Sequence, residues 1–398
     1  MICIPENAPC LLEALQAYDF PETLVGATRY GSGHINSTYC VLCQPQEGDC
    51  KRFILQRMSS AAFPHLDQVM ANFQGITEYL GEKIQEIGGD VSRGTLSLIH
   101  TKDGKPFFVD SEGEMWRMMP FIEETVCYQQ ATAEQFEASA EAFGKFQALL
   151  KDYPAETLYE TIPAFHDTES RYEKFEAAVA ADKVGRVASV AAEIAFVRAR
   201  KQDCSVVRQA LRDGKLPLRV THNDTKLNNV LFDKRTGEGI CVVDLDTTMP
   251  GLSVNDFGDS IRFGANHSAE DEKDLSKVNF DIELFEAYTR GFLRGAGGGL
   301  TEQELEYMPW GARLMTLECG IRFLTDYLDG DNYFRTAYPE HNLDRCRTQF
   351  KLVRDMEEQF DQMVTVIQKY AKEYVRPPGY PAGRFAVVLT LKGKQGKI

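Results

Sequence analysis

The chain has 398 residues, 43% hydrophobic and 26% charged, and its 44 Lys and Arg against 59 Asp and Glu give a formal net charge of −15. That length favours two lobes over one core, and the acidic balance, with no basic stripe, excludes nucleic acid as a partner. No apolar run reaches the roughly 18 residues that span a bilayer, and MICIPENAPCLLEAL lacks the basic-then-apolar order of a signal peptide, so no membrane partner, a cytoplasmic location and reduced cysteines are expected.

Residues 8–18 read as a short helix, followed by β-prone runs near Ala27–Tyr30, at Thr38–Gln44 and at Arg52–Arg57. The CxxC spacing of Cys40 and Cys43 falls in the second run. Residues three apart on a strand face opposite sides, so buried thiols are expected there rather than a metal site. His65–Gln85 has apolar residues at helical spacing, and strands are predicted at Leu96–His100, Pro106–Val109 and Met115–Met118. Residues 1–118 thus read as a small antiparallel lobe with one inserted helix, and 119–122 as a hinge. Helical patterns dominate residues 123–375, over Ala133–Leu150, Glu169–Ala180, Ser189–Arg212 and nearly everything after Gly258. The Pro- and Gly-rich segment 376–398 reads as a tail dispensable for activity.

Within the helical half, RVTHNDTKLNNVLFD packs His222, Asp224, Lys226, Asn228 and Asn229 between two apolar runs. His222-x-Asp224-x-x-x-x-Asn229 puts a carboxylate and an amide on one tight loop. Phosphoryl transfer needs a carboxylate to hold the attacking hydroxyl and oxygen ligands for Mg²⁺ on the phosphates. Asp224 is therefore the candidate catalytic residue and Asn229 a candidate metal ligand. The hairpin of Val230–Phe232 and Ile240–Val243 brings Asp244 back beside the loop as the second metal ligand, and His222 is expected to brace the loop. DFG occurs at Asp256–Phe257–Gly258, but it starts a helix instead of ending a strand. Asp256 and Asp259 are accordingly expected to cap that helix and support the catalytic loop.

The small lobe offers a phosphate cover in Gly31-Ser32-Gly33, where backbone amides can approach phosphate oxygens. Met119 and Phe121 flank the hinge and are expected to bind the nucleotide base. One feature is unusual for a kinase-like lobe: RFILQRM carries Gln56 where a phosphate-pairing Lys usually stands. Backbone amides, Mg²⁺ and His34 are expected to compensate.

The blocks YGSGHINSTY, FHDT, RVTHNDTKLNN, DLDTTMPG, FGDSIRFGA, EDEKDLSKV and ECGIRFLTDYLDGDNYF, spread from about Tyr30 to Lys369, resemble the aminoglycoside phosphotransferase/choline kinase superfamily. Within it the resemblance is to N-acetylhexosamine 1-kinases. It implies an α+β, two-lobed protein-kinase-like fold and a Mg²⁺-dependent enzyme that phosphorylates the anomeric hydroxyl of GlcNAc or GalNAc with ATP. It maps the base onto Asp224, the Mg²⁺ ligands onto Asn229 and Asp244, and sugar contacts onto His34, Asn36, Asp224, Arg322 and Tyr333. Arg322 shares a helix face with Glu318 and Asp326, so an intrahelical salt bridge competes with a sugar contact. Two rivals stand beside this reading. One is a kinase of another small alcohol, such as choline, homoserine or an aminoglycoside; the other is a non-catalytic binding protein, prompted by Gln56.

Overall fold

A computed structural model describes residues 10–20, 23–31, 35–45 and 47–374; the tail, Ser32, Gly33 and His34 lie outside them. The small lobe opens with α1 (Leu11–Gln16), then β1 (Thr23–Arg29), β2 (Ser37–Gln44) and β3 (Lys51–Arg57). There follow α2 (Leu66–Glu86), α3 (Val91–Gly94), β4 (Phe108–Val109) and β5 (Met115–Pro120). The sheet is antiparallel in the order β1-β2-β3-β5-β4. Strand alternation sorts its faces. Tyr39, Val41, Cys43, Leu55, Trp116 and Met118 pack outward under α1, and that places Ile54, Gln56, Arg117 and Met119 on the opposite face.

The helix α2 carries Val69, Phe73, Ile76, Leu80 and Ile84 buried at helical spacing. Phe73, Ile76 and Leu80, together with Met119, belong to the same core as the large lobe. The lobes therefore share apolar packing through α2. The expected strand at Leu96–His100 shrinks to a single bridge from Ile99 to Met118.

The large lobe contains β6 (Thr125–Val126), α4 (Ala133–Leu149), α5 (Thr168–Ala181), α6 (Ala191–Arg198) and α7 (Val206–Arg212). Next come β7 (Arg219–Thr221), β8 (Val230–Asp233), β9 (Gly239–Val242) and β10 (Met249–Gly251). The chain closes with α8 (Ser253–Gly264), α9 (Ile282–Ala296), α10 (Glu302–Asp329), α11 (His341–Glu358) and α12 (Phe360–Tyr374). Small sheets β6-β8-β9 and β10-β7 frame the catalytic loop. The helix expected across Ser189–Arg212 breaks between α6 and α7. There Arg200 turns to pair with Glu357 at 2.6 Å and Asp203 with Arg313 at 2.5 Å. Helix α8 crosses α10 at backbone contact because both residues at the crossing are glycines: a Cβ on Gly311 would lie 2.0 Å from the Val254 oxygen. That close crossing carries Asp256 up against the catalytic loop.

No helix of the described residues is long and apolar enough to cross a membrane, and none of their cysteines forms a disulfide. Cys43 is buried and Cys40 half-buried on the neighbouring face.

Candidate active site

The loop after β7 is held by bonds from every side. His222 is 0% exposed, with Nε2 2.9 Å from the Val243 oxygen and Nδ1 accepting the Asp224 N–H at 3.2 Å. A carbonyl can only accept, so the ring proton sits on Nε2 and His222 is a neutral brace. Asn223 takes a left-handed conformation at φ 64°, and its amide donates to the Thr221 and Thr247 oxygens at 3.1 and 2.9 Å.

Asp256 accepts the backbone N–H of His222 at 2.9 Å and of Asn223 at 2.8 Å, and Gln147 donates to it at 2.8 Å. The expected support of the loop is thus present in these bonds. The expected capping role is not: α8 begins at Ser253, three residues earlier, and its cap position is Leu252 with no side-chain bond. Asp259 likewise turns to Arg262, at 2.9 Å.

Asp224 projects from this braced loop. Lys226 Nζ lies 2.6 Å from its Oδ1, and Asn229 Nδ2 donates to the Asp224 oxygen at 2.8 Å and to Oδ2 at 3.2 Å. Those bonds use the Asn229 amide nitrogen. Its side-chain oxygen, Oδ1, accepts no hydrogen bond among the described residues and is left for another ligand. Lys226 was not singled out by sequence reasoning, although it stands inside the quoted loop. Its ammonium is held above the usual lysine range by Asp224 and Asp259, against the opposing effect of burial.

The chain leaves β9 and turns at Asp244, again left-handed at φ 62°, into a single helical turn, Leu245–Thr247. The Asp244 carboxylate opens onto the cleft but is closely walled. Desolvation, with Asp246 and Asp224 nearby, pushes its pKa up to about 6. No hydrogen bond reaches that carboxylate from the described residues. An uncompensated acid among other acids is what a cation would stabilise. Among the described residues no group of three or more His, Cys, Asp or Glu is arranged to hold a metal ion alone. Asp244 and the Asn229 oxygen supply only part of a shell, which suits a divalent ion shared with phosphate oxygens.

On the small-lobe side Gly31 has φ 75°, and the rings of Tyr30 and Phe121 meet edge to face at 5.5 Å. The Phe121 N–H is spent on the Arg52 oxygen at 3.2 Å, and the Arg52 guanidinium lies 3.8 Å from the centre of its ring. Met119 is 4% exposed and packs in the shared core. Asn36 is engaged at both ends: Nδ2 donates to Asp246 Oδ2 at 2.6 Å, and Oδ1 accepts the Ser59 N–H at 3.0 Å.

Helix α10 brings Arg322 to the other side of the loop. Its two candidate helix partners are occupied. Glu318 is bound by Thr168 Oγ1 at 2.7 Å and by His166 Nδ1 at 3.2 Å. Asp326 accepts the N–H groups of Asn332, Tyr333 and Phe334 at 2.8–2.9 Å, and the Asn342 amide at 2.8 Å. No ion pair to Arg322 forms among the described residues. Its guanidinium instead lies near the rings of Phe334, Phe165 and Tyr333, at 5.4, 5.9 and 5.9 Å. Tyr333, on the turn that Asp326 folds, is 73% exposed.

Arg322 and Tyr333 line one cavity of about 130 Å³ with Arg171, Lys174, Thr325, Asp326, Asp329 and Phe334. Asp329 pairs with Lys183 at 2.8 Å, so the cavity carries three cations while both of its acids are engaged. Arg171 and Lys174, on α5, were not anticipated. His166 joins the two regions: its Nε2 lies 3.0 Å from the Asn223 oxygen and its Nδ1 faces Glu318. Both partners are acceptors, so the ring carries two protons, and Glu318 raises its pKa against the effect of burial. Its signal was the FHDT block. A larger cavity of about 320 Å³ lies on another face of the loop, among Leu227, Arg262, Glu270 and Gln349. No residue assigned to the site from sequence lines it.

Residues 26–297 match the phosphotransferase enzyme family (APH). Three solved structures share the fold at low identity. An aminoglycoside phosphotransferase from Alicyclobacillus acidocaldarius is 13% identical with a TM-score of 0.59, covering 92% of this chain and 98% of that one. An amicoumacin kinase in complex with AMP-PNP and Ca²⁺ is 15% identical at 0.53, covering 89% and 94%. A choline kinase from Cryptosporidium parvum is 12% identical at 0.52, covering 86% and 92%.

Proposed function

Because the chain belongs to the phosphotransferase enzyme family, a family of small-molecule kinases, we propose that it moves the γ-phosphoryl group of ATP to the anomeric hydroxyl of an N-acetylhexosamine, GlcNAc or GalNAc. The products are the sugar 1-phosphate and ADP. One observation supports the choice of acceptor: the cavity around Arg322 also holds Arg171 and Lys174, while its acids Asp326 and Asp329 are engaged with other partners. Choline, ethanolamine-like alcohols and aminoglycosides are cations, and the excess of basic over acidic side chains there disfavours them. An N-acetyl carbonyl and sugar hydroxyls accept hydrogen bonds from guanidinium donors, and the exposed Tyr333 ring offers a sugar a flat apolar face.

In this reading Asp224 accepts the proton of the attacking hydroxyl and holds its oxygen in line. Lys226, 2.6 Å away, pairs with that carboxylate and helps to hold it in place. Asn229 and Asp244 are the residues that would hold Mg²⁺, which would supply positive charge to the phosphates. Gly31, Ser32 and Gly33 are retained from the sequence as the phosphate-binding segment, and Met119 and Phe121 as residues for the base. His34 is retained as a sugar contact from the family resemblance. Asn36 reaches a sugar only by giving up its bond to Asp246.

ADP release measured across a panel of neutral N-acetyl sugars, plain hexoses, choline, homoserine and aminoglycosides tests the proposal. Turnover confined to the N-acetyl sugars is expected. Preference for an amine would refute the assignment of the acceptor while leaving the phosphotransfer chemistry in place.

A further inference from the structure

Gln56 leaves the nucleotide cleft without its usual strand-borne cation, and the residue beside it in the sheet supplies one. Arg117 on β5 is directly opposite Gln56 on β3. Its Nε and Nη2 donate to Gln56 Oε1 at 2.9 and 2.8 Å, and Gln56 in turn donates to Thr38 Oγ1 at 3.0 Å. The guanidinium sits 4.5 Å from the ring centre of Phe73 on α2 and is 1% exposed. Its third nitrogen, Nη1, lies 2.6 Å from Asp246 Oδ1, a charge contact not aligned as a hydrogen bond. The other Asp246 oxygen accepts the Asn36 amide at 2.6 Å.

Asp246 is 3% exposed and belongs to the large lobe, while Arg117, Gln56, Thr38 and Asn36 all belong to the small one. It stands two residues after Asp244, in the helical turn that follows it. Asn72 on α2 seals the same turn by donating to the Thr248 oxygen at 3.2 Å. A buried ion pair is a poor way to gain stability, because desolvating both charges offsets most of their attraction. Its use here is better explained by geometry: two small-lobe side chains converge on one carboxylate beside the metal-binding turn.

We propose that Asp246 is a positioning residue, a latch by which Arg117 and Asn36 fix the small-lobe sheet over the Asp244 turn. Arg117 thus takes over from the neighbouring strand the cross-cleft anchoring that a Lys at position 56 would have given. This rests on the phosphotransfer reading of the cleft and not on the identity of the acceptor.

The test is binding of Mg·AMP-PNP to the full-length protein, measured by calorimetry alongside the melting temperature. Arg117→Met alone leaves a buried carboxylate unpaired and is expected to lower Tm. Arg117→Met combined with Asp246→Asn removes both charges, so it is expected to melt near the wild type and still bind the nucleotide about tenfold more weakly, since the Asn36 bond also loses its charged acceptor. Asn36→Ala should add little in the Asp246→Asn background, since both act through one carboxylate. A double variant that binds Mg·AMP-PNP like the wild type would overturn the latch and leave a plain structural ion pair. Wild-type protein that does not bind Mg·AMP-PNP would overturn the phosphotransfer reading, and the latch with it.

Discussion

The loop around Asp224 and the cavity around Arg322 are built on opposite plans. Around Asp224 nearly every polar group is committed: His222, Asn223, Thr225 and Asn229 all bond inward or to Asp256. Around Arg322 the commitment runs the other way. Glu318 and Asp326 are withdrawn into folding roles, and the Arg322 and Tyr333 side chains are left open. Chemistry at fixed distance rewards a rigid constellation, whereas recognition needs donors whose partners arrive with the ligand. The difference teaches where each kind of function sits.

Variants that strike the rigid side should have the largest effects. Asp224→Asn keeps size but removes the proton acceptor, so kcat is expected to fall by about 10²–10⁴-fold with nucleotide binding retained, as read by single-turnover kinetics and calorimetry. Asp244→Ala should act differently, abolishing the Mg²⁺ dependence of nucleotide binding. Asp256→Ala should instead orphan two buried N–H groups, at about 1–3 kcal/mol each. It would appear first as a lower Tm, with metal binding preserved. A metal-binding defect in Asp256→Ala beside a harmless Asp244→Ala would reverse these two assignments.

On the open side, Arg322→Ala should raise the KM for the N-acetyl sugar by very roughly ten- to hundredfold, corresponding to about 1.5–3 kcal/mol for a charged hydrogen bond, and leave KM for ATP and Tm nearly unchanged. Glu270→Ala, in the larger cavity, should leave the sugar KM alone; a rise there would move the acceptor site to that cavity.

The smallest effect sits on the connection between the regions and depends on pH. His166 is charged between Glu318 and the Asn223 oxygen, with its pKa raised, and burial is outweighed at Glu318 so that its carboxyl stays below the usual range. A raised His pKa contributes stability fully below its unfolded value of about 6.5 and loses it as pH rises through the folded value. His166→Gln should therefore differ from wild type in Tm most near neutral and mildly acidic pH, and less under alkaline conditions. A gap that widens with rising pH would contradict the charged assignment.

The phosphate side was readable in the sequence because its parts are contiguous. His222, Asp224 and Asn229 span one loop, and Asp244 follows one hairpin later, so spacing alone carried the geometry. The acceptor side joins Arg171 and Lys174 to Arg322 and Tyr333, across some 150 residues of sequence, and only the last two stood out. Arg117 was invisible for a related reason. Its meaning depends on the register that sets it against Gln56, and register is a tertiary fact. The break between α6 and α7 was hidden likewise, because the ion pairs that favour it reach to Arg313 and Glu357.

The central claim is that phosphate goes to the anomeric oxygen of an N-acetylhexosamine, and the position of the phosphate on the product tests it most directly. The protein, Mg·ATP and GlcNAc or GalNAc should give a product whose phosphorus couples to the anomeric proton in a ³¹P–¹H correlation spectrum, with none coupled to the protons at carbon 6. Phosphorus on any other carbon, or no sugar phosphate while an amino alcohol is phosphorylated, would contradict it.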